Sequence, residues 1–216
     1  MSKLKLYNYF RSSASYRVRI ALHWKGLEFE YLPVHLVKNG GEQRSDEYRK
    51  LNPMAHVPTL VHGDYALPES MAILLYLERL YPQKPLFPKV EKAYGRAIQL
   101  CEIVNSGIQP YQNLKVTNDF EKAMSWSKDE THAWVQKWVV PGLQNLETVL
   151  AKSAGLHAVG DDVTAADAFI IPQLFSARRF KIDTTQFPVL TRIEKNALQL
   201  EAFKKAHPEA QTDYEK

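Results

Sequence analysis

Lys3-Leu-Lys-Leu-Tyr-Asn-Tyr-Phe10 runs directly into Arg11-Ser-Ser-Ala-Ser-Tyr-Arg-Val-Arg-Ile-Ala-Leu-His-Trp-Lys25, and Gly26 follows. The first stretch alternates: Leu4, Leu6 and Asn8 take one side, Lys3, Lys5 and Tyr7 the other, which is the period of a strand. In the second, Val18, Ala21, Leu22 and Lys25 recur at helical spacing over 12–25, and Gly26 stands where a helix stops. A second strand is expected over 29–36. A helix between two strands favours a right-handed crossover and a parallel pair, so the opening predicts a βαβ unit.

Outward from this unit, residues 38–45 form a polar loop with Gly40 and Gly41, and a short helix is expected near 45–51. His56-Val-Pro-Thr-Leu-Val-His62 reads as a strand entered through a proline. Gly63-Asp64 is a turn signal, and 65–68 the hairpin partner. Ser70 opens a helix over 71–80. Pro82, Pro85 and Pro88 punctuate a span without helical period, the mark of a linker. Beyond it, apolar residues recur at three and four spacing near 90–117, 128–153, 165–178 and 189–205. The expected fold is therefore α/β plus all-α. A βαβ-ββα domain over 1–81 and a linker over 82–89 precede a helical bundle over 90–216.

With 216 residues, 45% hydrophobic and 24% charged, the chain can bury a core in each domain. The net charge of +4 comes from interspersed basic and acidic residues, so no nucleic-acid partner is expected. No apolar run reaches about 18 residues, and the N-terminus has no secretory h-region, so no membrane partner is expected either. A lone cysteine, Cys101, cannot form an internal disulfide, which suits a reducing cytoplasm. No Cys/His spacing matches a structural zinc site, so no metal is expected.

Three places could carry chemistry. Residues 11–19 lie at a strand-to-helix junction. Serines there cap free N–H groups, the same groups and the helix dipole favour an anion, and a serine hydroxyl can donate to a thiolate. On spacing alone, a plain N-cap is the commoner role for Ser12 or Ser13. At Val57-Pro58 a cis bond would turn the Val57 backbone toward a peptide-like ligand, although a trans proline is the commoner case. At Glu69-Ser70, Ser70 is a suitable N-cap whose helix end could hold a carboxylate, with Glu69 for an amine. A thiol site, a backbone-reading site and a carboxylate and amine site together describe a short cysteine-containing peptide. Thr164-Ala-Ala-Asp167 matches a capping box with Asp in place of Glu or Gln and is assigned to folding.

The Ser12-Ser13-x-Ser15-x-Arg17-Val18-Arg19 opening, Asn52-Pro53 with Val57-Pro58-Thr59-Leu60, and Glu69-Ser70 together resemble the thioredoxin-like domain of glutathione transferases. Gly107-Ile-Gln-Pro-Tyr-Gln-Asn-Leu114, Val159-Gly-Asp-Asp-Val-Thr-Ala-Ala-Asp167 and Ala177-Arg-Arg-Phe-Lys-Ile-Asp183 resemble the zeta class. The resemblance spans almost the whole chain in order. It implies a glutathione transferase fold, with residues 1–81 thioredoxin-like, and glutathione as cofactor. Ser12, with Ser13 beside it, is the implied catalytic element at the sulfur. Implied glutathione contacts are Ser12, Ser13, Ala14, Ser15, Tyr16, Arg17, Gln43, Val57, Pro58, Glu69 and Ser70, joined by Gln109, Asn113, Leu114 and Lys115 from the helical domain.

The resemblance further implies a small dicarboxylic keto-acid substrate, isomerised from cis to trans by a cytoplasmic homodimer. The reaction would be that of maleylacetoacetate in tyrosine and phenylalanine catabolism. Carboxylates suit the planar fork of arginine, and Arg11 and Arg179 are the candidates, with surface ion pairs the competing reading. Ala14 stands where the zeta motif has cysteine, which keeps maleylpyruvate open as the substrate. A conjugating transferase or dehalogenase, and a non-catalytic glutathione-fold binding module, are the other readings.

Overall fold

The computed structural model describes residues 3–215. They divide into two compact units, one comprising the chain up to Leu86 together with the residues from Leu198 onward, the other Phe87–Ala197.

The first unit contains β1 (Leu4–Asn8), α1 (Ser13–Trp24), β2 (Phe29–Pro33), α2 (Asp46–Leu51), β3 (Thr59–His62), β4 (Tyr65–Pro68) and α3 (Ser70–Leu80). The sheet order is β2-β1-β3-β4. β1 runs parallel to β2 and antiparallel to β3, with Leu6 opposite Tyr31 on one side and Leu60 on the other. β3 and β4 form the expected hairpin, turning at Gly63 with φ 66°. Leu4, Leu6 and Asn8 are buried, as the alternation requires. β2 stops at Pro33, short of residue 36, because its partner β1 ends at Asn8, and the Val34 N–H makes the last bond to the Asn8 carbonyl (2.7 Å). β3 starts only at Thr59, since the His56 carbonyl is taken by side chains rather than by a strand.

Helix α1 is buried at every residue over 15–22. It packs against α3 and also against a late helix, α9 (Glu201–Ala206). This burial engulfs a cation. Arg19 is wholly buried, and its guanidinium donates to Asn8 Oδ1 (3.0 Å), the Tyr9 carbonyl (3.3 Å), the Phe10 carbonyl (2.9 Å) and the Ala206 carbonyl (3.0 Å). Burial pushes its pKa down to about 10, so it remains charged at neutral pH. Lys25, at the end of α1, donates to Glu78 (2.7 Å) and to the Tyr81 carbonyl (2.8 Å), which ties down the start of the proline-rich span after α3.

The second unit contains α4 (Glu91–Glu102), a π-helical turn (Ile103–Ile108), a 3-10 turn (Gln109–Gln112), α5 (Leu114–Met124), α6 (Lys128–Leu150), α7 (Ala165–Arg179) and α8 (Pro188–Ala197). The helix expected over 90–117 is thus four segments. Pro110 cannot continue an α ladder, and the π turn seats Ile108 against Gly142, where a Cβ would meet Ile108 Cγ1 at 2.7 Å. α7 is buried along nearly all its length. The capping box at its start is present, with buried Asp167 accepting from the Thr164 N–H (2.8 Å) and also from the Ala158 N–H (3.0 Å).

The helix expected over 189–205 also breaks, between α8 and α9. This departs from the expectation of one helical domain over 90–216, because the residues from Leu198 onward belong with the first unit. The reason is packing, since α9 covers α1 and supplies an acceptor for Arg19. Among the described residues no helix is long and apolar enough to cross a membrane, and no group of three acidic, histidine or cysteine side chains could hold a metal.

Replacing Arg19 by methionine removes the donor from the Phe10 and Ala206 carbonyls and from Asn8 Oδ1, while the Tyr9 carbonyl keeps the Ser12 N–H, and each acceptor left unsatisfied costs about 1–3 kcal/mol. Urea denaturation of Arg19→Met is expected to show a stability loss of about 3 kcal/mol or more. Arg19→Lys should recover little of it, because an ammonium cannot reproduce the fork.

Candidate functional site

The register of the sheet collects the candidate residues at one end. Tyr7 faces Thr59, and Thr59 faces Pro68. Residues leaving β1, entering β3 and leaving β4 therefore emerge together, and Pro33, opposite Asn8, leads β2 out at the same end.

After β1 the chain makes a tight turn into α1. The Ser12 N–H donates to the Tyr9 carbonyl (3.0 Å), the Ser15 N–H donates to Ser12 Oγ (3.2 Å), and the Tyr9 N–H reaches Ser15 Oγ (3.4 Å). Ser12 is the N-cap of α1, and Ser13 is its first helical residue. Capping uses Ser12 only as an acceptor. A hydroxyl also has a proton to donate, so capping orients Ser12 without consuming that proton. Ser12, Ser13 and Ala14 are half-buried, whereas Ser15, Tyr16 and Arg17 lie in the interior. Tyr16 packs there under the Arg19 guanidinium (5.4 Å), and Arg17 donates to Ser70 Oγ (3.1 Å). Arg11 is half-buried, with its guanidinium 5.7 Å from the Tyr9 ring centroid.

Before β3, the Val57-Pro58 bond is cis. No hydrogen bond among the described residues engages the Val57 N–H or carbonyl. The segment is held from behind: Tyr48 Oη (2.7 Å) and Asn52 Nδ2 (2.8 Å) both donate to the His56 carbonyl, and Tyr48 Oη also meets Thr59 Oγ1 (2.9 Å). Burial pushes the Tyr48 pKa up to about 12, so it stays a hydroxyl. Val57 is thus a fixed peptide edge with nothing paired to it.

After β4, the expected cap is displaced by one residue. Glu69, at φ 68°, is the N-cap of α3, and no side chain caps that helix. Ser70 is the first helical residue, its hydroxyl taken by Arg17. α1, α2 and α5 are each capped by a side chain, from Ser12, Ser45 and Asn113. α3 keeps its first N–H groups unclaimed, as an anion site requires. Gln43 lies buried beneath Gly41, whose φ of 99° and lack of a Cβ make room for it, and Gln43 Oε1 has no partner among the described residues.

In the second unit, Gln109 opens the 3-10 turn, and Asn113 caps α5 by accepting from the Lys115 N–H (2.9 Å). Leu114 is half-buried and Lys115 exposed. The turn is anchored by Gln112, which exchanges amide hydrogen bonds with buried Gln173 of α7 (2.7 and 3.3 Å). Arg179, in the last turn of α7, is exposed, with its guanidinium 5.9 Å from the Phe180 ring centroid. Its neighbour Arg178 is committed to Glu194 (2.9 Å) and Thr184 (3.2 Å).

Residues 2–79 match the model of the glutathione S-transferase N-terminal domain family. A zeta-class glutathione S-transferase of Euphorbia esula is 47% identical, over 98% of this chain and 92% of that one. Among solved structures, a bacterial maleylpyruvate isomerase of the zeta class superposes with a TM-score of 0.93 at 37% identity, covering 97% of this chain and 99% of its own. A maleylacetoacetate isomerase from Methylobacterium extorquens, solved with malonate and glutathione bound, superposes with a TM-score of 0.91 at 33% identity, covering 96% and 97%.

Sequence reasoning missed the residues that hold this site from behind. Tyr48 and Asn52 belong to a segment legible only as a short helix and its exit. Arg19 left a signal, a charge inside the Val18-Arg-Ile-Ala-Leu22 run. Replacing Tyr48 by phenylalanine removes the hydroxyl shared by His56 and Thr59. Chemical denaturation of Tyr48→Phe is expected to show a loss of about 1–2 kcal/mol.

Proposed function

We propose that this chain, which belongs to the zeta class of the glutathione S-transferase family, is a glutathione-dependent cis–trans isomerase of a maleyl keto acid, with maleylacetoacetate the first candidate substrate. One observation carries the reading. Three unpaired features suited to a cysteine-containing peptide lie at one sheet end: the Ser12 hydroxyl proton, the Val57 peptide edge and the uncapped start of α3.

Those features fit glutathione by chemistry. A peptide edge can pair with the backbone of the cysteine residue. Free N–H groups at a helix start suit a carboxylate, Glu69 beside them suits an amine, and the buried, unpartnered Gln43 oxygen suits a donor. When bound, glutathione supplies a thiolate whose reversible addition frees the former double bond to rotate, and it is recovered unchanged.

The chain's own residues do the rest. Ser12 donates its proton to the sulfur and, with the start of α1, stabilises the thiolate against a free-thiol pKa of about 8.5. Ser13 lies in the first turn beside it. Arg11 and Arg179 supply planar forks for the substrate carboxylates and stabilise charge that develops during addition. Gln109 and Asn113, with Leu114 and Lys115 following, extend the glutathione contacts in the same reading. The homodimeric, cytoplasmic setting rests on the family resemblance.

Maleylpyruvate is the second substrate reading. Ala14 in the serine motif and the likeness to a maleylpyruvate isomerase favour it.

Turnover of maleylacetoacetate and of maleylpyruvate, each with and without glutathione, tests the proposal. Isomerisation that requires glutathione and recovers it intact is the expected result. Accumulation of a glutathione conjugate would assign the chain to the conjugating transferases instead, and inertness toward both substrates would leave a binding module. In Ser12→Ala, kcat is expected to fall about 10²-fold while calorimetry still records glutathione binding. Unchanged kcat would remove Ser12 from the thiol site.

A further inference from the structure

We propose that the C-terminal residues 207–215 are part of the thiol-activating apparatus, and that Asp213 is the positioning residue that fixes the turn carrying Ser12. The proposal rests on the isomerase reading above.

Phe10 is the last residue of the β1 exit before Arg11 and Ser12. Both of its backbone groups are claimed by distant side chains. Its carbonyl accepts from Arg19 Nη2 (2.9 Å), and its N–H donates to Asp213 Oδ2 (3.0 Å), across 203 residues of sequence. The other Asp213 oxygen accepts from the Tyr31 hydroxyl of β2. Burial, then the bond to Asp213, hold the Tyr31 pKa well above the usual tyrosine range, so Tyr31 remains a donor. Asp213 therefore joins the β1 exit to the neighbouring strand.

The flanking residues make the same connection. The Tyr214 ring stands edge-on to Phe10, with centroids 5.5 Å apart at 90°. Glu215 pairs with Lys38 and lies 3.6 Å from His35 Nε2, and His35 in turn meets the Tyr9 hydroxyl (3.4 Å). At the start of the segment the Ala206 carbonyl accepts from Arg19 Nε (3.0 Å). Gln211 Nε2 closes it by donating to the carbonyls of Lys205 and His207 (2.8 Å each). The tail is thus fastened at both ends, and it grips Phe10 directly and reaches Tyr9 through His35.

A role in positioning follows from how Ser12 is oriented. Its N–H hangs on the Tyr9 carbonyl and its Oγ on the Ser15 N–H, so any drift of the Tyr9–Phe10 peptide moves the hydroxyl. Hydrogen bonds weaken steeply off their axis. The carboxylate of Asp213 touches no reacting atom and acts through Phe10 alone.

The test uses full-length Asp213→Ala and Tyr31→Phe, with the thiolate of bound glutathione titrated by its ultraviolet absorbance and kinetics run beside it. In Asp213→Ala the pKa of the bound thiol should rise by about one unit, a tenfold change in its ionisation constant, and the thiolate held at neutral pH should fall with it. kcat should fall about tenfold with it, while the KM for glutathione changes less than about twofold. Tyr31→Phe, which frees Asp213 without touching the turn, should move both quantities in the same direction by a smaller factor. A folded Asp213→Ala with wild-type thiolate and kcat overturns the proposal. Should that variant not fold, a wild-type titration in Tyr31→Phe overturns it. A wild-type chain that holds no thiolate overturns the functional reading as well, so the two failures are told apart.

Discussion

The first unit is organised around a charge that has no business in a protein interior unless its donors find acceptors. An arginine fork offers five N–H groups in fixed directions. Around Arg19 the chain arranges a side-chain amide and three carbonyls to receive four of them. Those acceptors come from the end of β1, from the turn that follows it and from the last helix. The same guanidinium therefore sets where β1 stops, how the Ser12 turn leaves it and where α9 docks. A hydrophobic residue at this position would let each of these elements find its own place.

Around that fixed point the two helix starts are treated oppositely. The start of α1 is closed by a serine whose oxygen is spent on the helix and whose proton is not. The start of α3 is left open, reached through a residue at positive φ and lacking any side-chain cap. A closed start with a spare donor suits a sulfur that must be polarised. An open one suits a carboxylate that must be held. Between them the peptide edge at Val57 is made available by Tyr48 and Asn52, which occupy the His56 carbonyl from the far side. A peptide edge held rigidly from behind is the arrangement that preorganisation requires.

Most of this architecture was legible in the chain because it depends on local periodicity and local caps. The alternation of β1, the helical spacing of α1, the Gly63-Asp64 hairpin and the Thr164–Asp167 box all act within a few residues, and each is present. What escaped was non-local. The helix expected over 90–117 became four segments, a break in which the fit of Ile108 against Gly142 adds to the effect of Pro110. Ser70 stands one residue inside α3 instead of capping it, and its hydroxyl accepts from Arg17, 53 residues earlier. The tail read as the end of a bundle, since nothing in its own composition names a partner two hundred residues upstream. Ser12, Val57 and Ser70 could be singled out as an ordered set of motifs, whereas Asp213 and Tyr48 become visible only once the sheet has been assembled.

The return of the final residues to the first unit makes that unit discontinuous along the chain, with residues 87–197 inserted into it. During vectorial synthesis the sheet emerges early, yet the helix that covers α1 and the carboxylate that receives the Phe10 N–H emerge only after residues 87–197. An N-terminal fragment cut at Leu86 would hold the Arg19 charge with one of its carbonyl acceptors missing. Closing so long a loop carries an entropic cost that local contacts do not, so the serine turn is completed by residues that follow it by nearly two hundred positions. A chain made only as far as Ala197 would carry the whole motif and still lack its settled geometry.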